Sequence, residues 1–369
     1  MNDRKKTEKE TINFLSFSDY FSLTKKDFTK NNSLKMLFFP FKSQIIIIII
    51  IMFFIFYSRY ISKGNELKDI DDNFIIDKEF YKYERNFITE SMKKYANWDQ
   101  SYNEPYFING IIRKFKPKNC LEIGVSKGGG SIIILNAIKD IEGSSLISLD
   151  LNEQLYYNNS EKTGCNVKKY FPELAENKWK LYTGKQPHIF LDKLNMKFDF
   201  LFLDTSHLAP GELINIIEAL PFLKENAIVV LHDIMYHLPS HNYYNPPEVK
   251  YHPSMIYLMT SLKGKKYIMN DDLFQFENIC AIILSKNQEK YYLNYFLLLM
   301  SPWDYMLSDE HIEQFKSFLK KYYKKKLYLR IFNSAVRENK IYIQKSENLK
   351  NSIRIYESSS KNDNTIIIK

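Results

Sequence analysis

The middle of the chain is punctuated by short runs that are apolar almost throughout: 120-CLEIG-124, 146-LISLD-150, 179-WKLYTG-184, 198-FDFLFLD-204, 227-AIVVLHD-233 and 279-ICAIILS-285. Between them lie stretches with apolar residues at helical spacing, notably 131-SIIILNAIKDI-141, 188-HIFLDKL-194 and 211-GELINIIEALPFL-223. A strand apolar on both faces has to be covered on both faces, and strands alternating with helices satisfy that by forming a parallel sheet between two helical layers. This predicts an α/β fold, doubly wound around a mainly parallel, seven-stranded sheet. The segment 102-YNEPYFINGIIRKF-115 predicts a preceding helix that Pro117 ends.

At 369 residues and 45% hydrophobic, the chain can build one enzyme-sized core with appendages. The expected divisions are a polar tail at 1–35, an apolar membrane-anchor segment at 36–57, a linker at 58–79, the globular domain at 80–288, a C-terminal helical extension at 289–345 and a polar tail at 346–369. Within the anchor, Ile45 to Tyr57 is shorter than the roughly 20 residues of a spanning helix, and reaching back to Met36 includes Pro40, Lys42, Ser43 and Gln44. Ser58-Arg59-Tyr60 offers no signal-peptidase site, so the segment is expected to stay. The net charge of +9 comes from scattered lysines apart from a basic run at each end, which implies a general preference for anions only. Cys120, Cys165 and Cys280 lack metal-ligand spacing and read as reduced, mostly buried thiols.

Gly124, Gly128, Gly129 and Gly130 interrupt the first crossover. Ligands of open parallel sheets bind beyond the carboxyl ends of the strands, so glycines here predict a loop that admits a ligand closely. A dinucleotide loop would read GxGxxG, but Ser126 stands at its second glycine. The alternative ligand carries an adenosine and a charged amino-acid end.

The run Glu122-x-Gly124-x-x-x-Gly128 resembles motif I of the class I S-adenosylmethionine-dependent methyltransferases, in the small-molecule and sugar O-methyltransferase branch. Asp150, which closes the second strand, matches the family's ribose-binding acid. The block 198-FDFLFLDTSHLAPGELINIIEALPFLKENAIVVLHDI-234 is similar to the family's fourth and fifth strands, with Asp204, His207, His232 and Asp233 at the matching strand ends. The likeness spans roughly residues 100–285. It implies a Rossmann-like sheet, S-adenosylmethionine as cofactor, donor contacts at Glu122, Gly124, Gly128, Asp150 and Thr183, and chemistry at Asp204, His207, His232 and Asp233. Two departures stand out: Lys224-Glu225-Asn226 replaces a Pro-Gly-Gly turn, and Ile234 sits where metal-dependent relatives place a ligand.

Methyl transfer needs an aligned acceptor and a route for its proton, and histidine suits that task near neutrality. Asp204 and Asp233 are also candidate ligands for Mg²⁺. The expected acceptor is a small-molecule or glycan hydroxyl. A nucleic-acid substrate is not expected: 245-NPPE-248 has Glu248 where a base-stacking aromatic would stand, and the fourth strand ends in DTSH instead. The rival readings are an NAD(P)-dependent oxidoreductase on the same sheet and a noncatalytic, membrane-tethered module. Lys25, Lys26, Lys30, Lys35 and Lys42 precede the apolar run while Arg59, Lys63 and Lys68 follow it, which favours a cytoplasmic N-terminus and an external domain. S-adenosylmethionine is made in the cytosol, however, and this decides for a domain facing the cytoplasm.

Overall fold

The structure, a computed structural model, describes residues 74–76, 88, 103–238, 253–270 and 276–360. The chain divides into Met1–Lys68 and Asp69–Lys369, and every described residue belongs to the second unit. The 1–35 tail, the 36–57 anchor, most of the 58–79 linker and the 245–248 loop lie outside the described residues. Among the described residues no helix is long and apolar enough to cross a membrane.

In chain order the elements are β1 (Phe74–Ile76), α1 (Glu104–Phe115), β2 (Asn119–Ile123), α2 (Gly129–Ile138), β3 (Ser145–Asp150), a small hairpin of β4 (Gln154–Leu155) and β5 (Asn158–Lys162), α3 (Cys165–Tyr170) and α4 (Pro172–Lys178). There follow β6 (Trp179–Thr183), α5 (Pro187–Leu194), β7 (Phe198–Leu203), α6 (Gly211–Ala219), β8 (Leu223–His232), α7 (Ser254–Ser261), β9 (Gly264–Asn270) and β10 (Phe276–Leu284). Among the described residues three α-helices follow: α8 (Tyr292–Leu298), α9 (Asp309–Tyr322) and α10 (Lys326–Ser360).

The main sheet has the order β1-β9-β10-β8-β7-β2-β3-β6. The strands from β8 through β6 are parallel, and β10 runs antiparallel to both neighbours. Seven strands were expected and eight are present; the extra one is the three-residue β1, which pairs in parallel with the outer edge of β9. β9 was not foreseen because its sequence, GKKYIMN, has too few apolar residues to read as a buried strand.

The two faces alternate residue by residue, as the pleat requires. Leu121, Ile123, Leu149, Leu201, Leu203, Val229 and Leu231 pack with α5, α6, α7 and the C-terminal helices. Cys120, Leu146, Phe200, Phe202, Ile228 and Val230 pack with α1 and α2 on the other side. Lys224-Glu225-Asn226 lies within β8, where the pairing with β7 shifts register and Asn226 takes φ 58°, so a bulge stands in for the expected turn.

The C-terminal extension is helical, and α10 continues through the stretch read as a polar tail to Ser360. Tyr328, Ile331, Phe332, Ala335 and Asn339 form its buried stripe at helical spacing. Beyond that stripe the sequence holds no Gly or Pro to end the helix.

Candidate active site

At the end of β2 the chain must turn to enter α2, and Gly124 makes that turn with φ 90°. A Cβ on this residue would lie 1.6 Å from the backbone oxygen of Asp204, whose amide donates to Ile123 O at 3.0 Å. Gly128, at φ 97°, would press a Cβ to 2.5 Å from Val167 Cγ2 of α3. The expectation that these glycines clear space for a ligand is therefore corrected: the space is taken by the protein's own backbone and by Val167. Ligand contact at this turn is left to its amides and to Asp150.

Glu122 lies beneath the turn, 1% exposed, with Oε2 accepting from Ser131 Oγ and Ser148 Oγ, each at 2.5 Å. Trp179 Nε1 in turn donates to Ser148 Oγ at 2.8 Å. Burial pushes the Glu122 pKa up to about 8 against the pull of the two hydroxyls. At neutral pH it is a neutral acid, and its Oε1 is buried without a hydrogen-bond partner. Thr205 Oγ1, beside Gly124, is also buried and unpartnered.

Asp150 ends β3 half-buried. Its Oδ2 accepts from the Val125 and Ser126 amides at 2.9 and 3.3 Å, and Oδ1 accepts from the Asn152 amide at 2.8 Å. A carboxylate has about four acceptor positions, so capacity remains for a ligand hydroxyl. Thr183, at the end of β6, is its partner in register and is also half-buried.

The second group forms where β7 and β8 end side by side. His232, the last residue of β8, points to the α1 face, where Glu104 Oε2 in the first turn of α1 meets its Nε2 at 3.0 Å. Its Nδ1 faces Asp204 Oδ1 at 3.2 Å and Asp233 Oδ2 at 3.1 Å. Asp233 Oδ2 also lies 3.1 Å from His207 Nε2, and His207 Nδ1 lies 3.4 Å from Glu212 Oε1. Asn278 Nδ2 donates to the other oxygen of Asp233. The four residues expected here are thus brought together, in a row of alternating carboxylates and imidazoles.

Charge states follow from that row. Burial opposes protonation of His207, yet Asp233, Glu212 and Asp204 outweigh it and raise its pKa to about 9. His232 is raised as well, again against burial, chiefly by Asp204 and Asp233. Burial would raise Asp233, but His232 and His207 bring it down to about 2. Glu212 is raised by burial against the pull of His207. Both His207 and Asp233 hold left-handed backbones, φ 55° and 56°, at a cost on the order of 1 kcal/mol each. The His207 loop is fixed from outside: the Ala209 amide donates to Asp304 Oδ2 at 2.6 Å, and the Asp304 amide donates to Ala209 O at 2.9 Å.

Residues 121–234, which carry both groups, match the model of the family described as Methyltransferase domain. The segment resembles a methyltransferase domain. No curated protein matches the chain in sequence. Solved structures similar to it include the O-methyltransferase TomG of Streptomyces achromogenes, involved in tomaymycin synthesis and bound to S-adenosylmethionine, at 13% identity and TM-score 0.39 over 57% of this chain and 91% of that one. Another is the methyltransferase PaMTH1 of Podospora anserina bound to S-adenosylhomocysteine, at 15% identity and TM-score 0.37 over 69% and 100%. An O-methyltransferase of Bacillus cereus, in complex with S-adenosylhomocysteine, reaches 14% and 0.35 over 57% and 92%. Likeness at this level carries nothing about the acceptor.

Glu104 and Asn278 lie outside the matched span of the methyltransferase domain, yet both grip its strand ends. Together with Glu212 and Asp304 they are the residues that sequence reasoning missed. Glu212 left a trace: it sits four residues before Ile216, a carboxylate on the apolar stripe of α6. Glu104 reaches His232 across 128 positions, which no local pattern encodes.

Proposed function

We propose that the protein transfers a methyl group from S-adenosylmethionine to a hydroxyl of a small-molecule or glycan acceptor. The observation that carries this reading is His207, 23% exposed at the carboxyl end of β7 and held by Asp233 at 3.1 Å, next to the turn that Asp150 organises. Asp150 would take the ribose hydroxyls on its free acceptor positions, with Thr183 beside it. The Val125–Gly128 turn and the start of α2 would receive the charged amino-acid end. S-adenosylmethionine supplies an activated methyl group on a sulfonium.

The protein's part is then alignment and proton handling. His207, an imidazolium near neutral pH whose two ring nitrogens face Asp233 and Glu212, would place its positive charge beside the acceptor oxygen and stabilise the negative charge that develops there. Asp204, 18% exposed, is the accessible carboxylate for the departing proton. Glu212 and Asp233 keep the ring in place, and Glu104 does the same for His232. The three ligand atoms of Asp204, His232 and Asp233 lie within 4.8 Å of one another, so a divalent cation could enter in exchange for the His232 proton. There it would polarise the acceptor; no step above depends on it, and exhaustive chelation is expected to leave activity in place.

A nicotinamide cofactor is disfavoured by Ser126 in the loop, and the partial exposure of Asp204 and His207 speaks against a noncatalytic module. The deciding experiment is calorimetry of the purified chain with S-adenosylmethionine and with NAD(P): binding of the nicotinamide cofactor alone overturns the proposal. We place the domain on the cytoplasmic side of a membrane, anchored by residues 36–57. Protease treatment of intact cells is expected to spare it.

A further inference from the structure

A second cluster of imidazole and carboxylate lies away from the strand ends, between the methyltransferase domain and its C-terminal extension. His188 comes from the first turn of α5, Glu218 from the last turn of α6 and His311 from the first turn of α9. Glu218 is fully buried, and its Oε1 meets His188 Nδ1 at 2.6 Å and His311 Nε2 at 4.0 Å. Its Oε2 accepts from Asn215 Nδ2 at 3.2 Å, which fixes the carboxylate plane as an outer partner does in a metal site. His311 Nε2 is buried and has no hydrogen-bond partner, although its ring faces the Glu218 oxygen. Phe315 and Phe318 pack against the His188 ring at 6.4 and 5.5 Å and keep the pocket apolar on that side.

We infer that His188, Glu218 and His311 form a binding site for a first-row transition metal ion of the Zn²⁺ type, which staples α9 to the methyltransferase domain. One potential ligand atom from each residue lies within 4.8 Å of the other two. Zinc bonds of about 2.0–2.1 Å in a tetrahedron set neighbouring ligand atoms roughly 3.3 Å apart. The two separations from Glu218 Oε1, 2.6 and 4.0 Å, straddle that value. Two imidazoles and one carboxylate select Zn²⁺ or its neighbours over Mg²⁺ and Ca²⁺, which favour all-oxygen shells. The ion would release the proton shared by His188 and Glu218 to solvent and would give His311 the partner it lacks. A water would complete the coordination shell. α9 is also joined to α5 by Lys321 Nζ and Tyr322 Oη on Asp192, and it follows the segment whose Asp304 braces the His207 loop.

The test uses the full chain, stripped with chelator and dialysed, then titrated with Zn²⁺ by calorimetry and with Co²⁺ by visible absorption. One equivalent of Zn²⁺, a rise in unfolding temperature and the intense visible bands of four-coordinate Co²⁺ are expected. His311→Gln should weaken Zn²⁺ binding at least tenfold and abolish the thermal shift, and Glu218→Gln should do the same should His311→Gln misfold. The double variant Asp204→Asn/Asp233→Asn, which removes the carboxylates of the other cluster, should keep both readouts. No Zn²⁺ binding by the full chain, or Zn²⁺ binding lost in the double variant but kept in His311→Gln, overturns the inference.

Discussion

The turn after β2 and the paired ends of β7 and β8 touch at one point, Gly124 against the Asp204 backbone, and are built by opposite means. The turn is specified by backbone: a glycine with no room for a Cβ, and amides that converge on one carboxylate. The strand ends are specified by side chains, four carboxylates and two imidazoles from four separate stretches of chain. Damage to the first should therefore cost the fold, and damage to the second should cost the reaction.

The sharpest way to break that contrast is Gly124→Ala. With Asp204 O at 1.6 Å from the new atom, the variant is expected to lose cooperative unfolding altogether; a soluble, cooperatively folding Gly124→Ala would falsify the backbone account. His207→Ala comes next: a fall of about 10²–10⁴ in kcat is expected, with the unfolding midpoint in denaturant near that of the parent when measured above pH 9. Asp150→Asn should weaken binding of S-adenosylmethionine by about 10–100-fold, since it converts hydrogen bonds to a charged acceptor into neutral ones. Calorimetry reads this directly, and unchanged affinity would move the ribose elsewhere.

Acid–base behaviour separates the regions further. His207 has its pKa raised in the folded state, from about 6.5 to about 9, so the stability it contributes is complete below pH 6.5 and is lost as pH climbs through 9. His311 is shifted the other way, downward, by burial first, with Glu218 opposing. Its contribution is present above the unfolded value and is lost on acidification below about pH 6.5. Unfolding midpoints measured from pH 5 to 10 should fall at both extremes, with His207→Gln flattening the alkaline arm alone. The smallest effect belongs to Glu122→Gln. A neutral acid replaced by a neutral amide should leave donor affinity within about threefold and remove the fraction of stability that Glu122 loses as pH rises through 8.

The sheet and the strand-end residues were legible in the sequence because the parallel strands are largely apolar and three of them, β3, β7 and β8, run into an aspartate. Asp150, Asp204 and Asp233 were found that way. What stayed hidden depends on distance along the chain. Glu104 opens a helix that reads as ordinary until His232 is placed against it, and Asn278 looks like the start of an apolar run. The purpose of Gly124 was misjudged for the same reason: a sequence shows that a side chain is missing but not which neighbour fills the space.

The short strand at Phe74–Ile76 has a practical meaning for how the protein can be handled. It lies forty-five residues before the first strand of the methyltransferase domain, yet it covers the open rim of β9. A protein cut back to begin at α1 would present the amides and carbonyls of β9 to any other chain carrying a free strand, and self-association through that rim is the outcome to guard against.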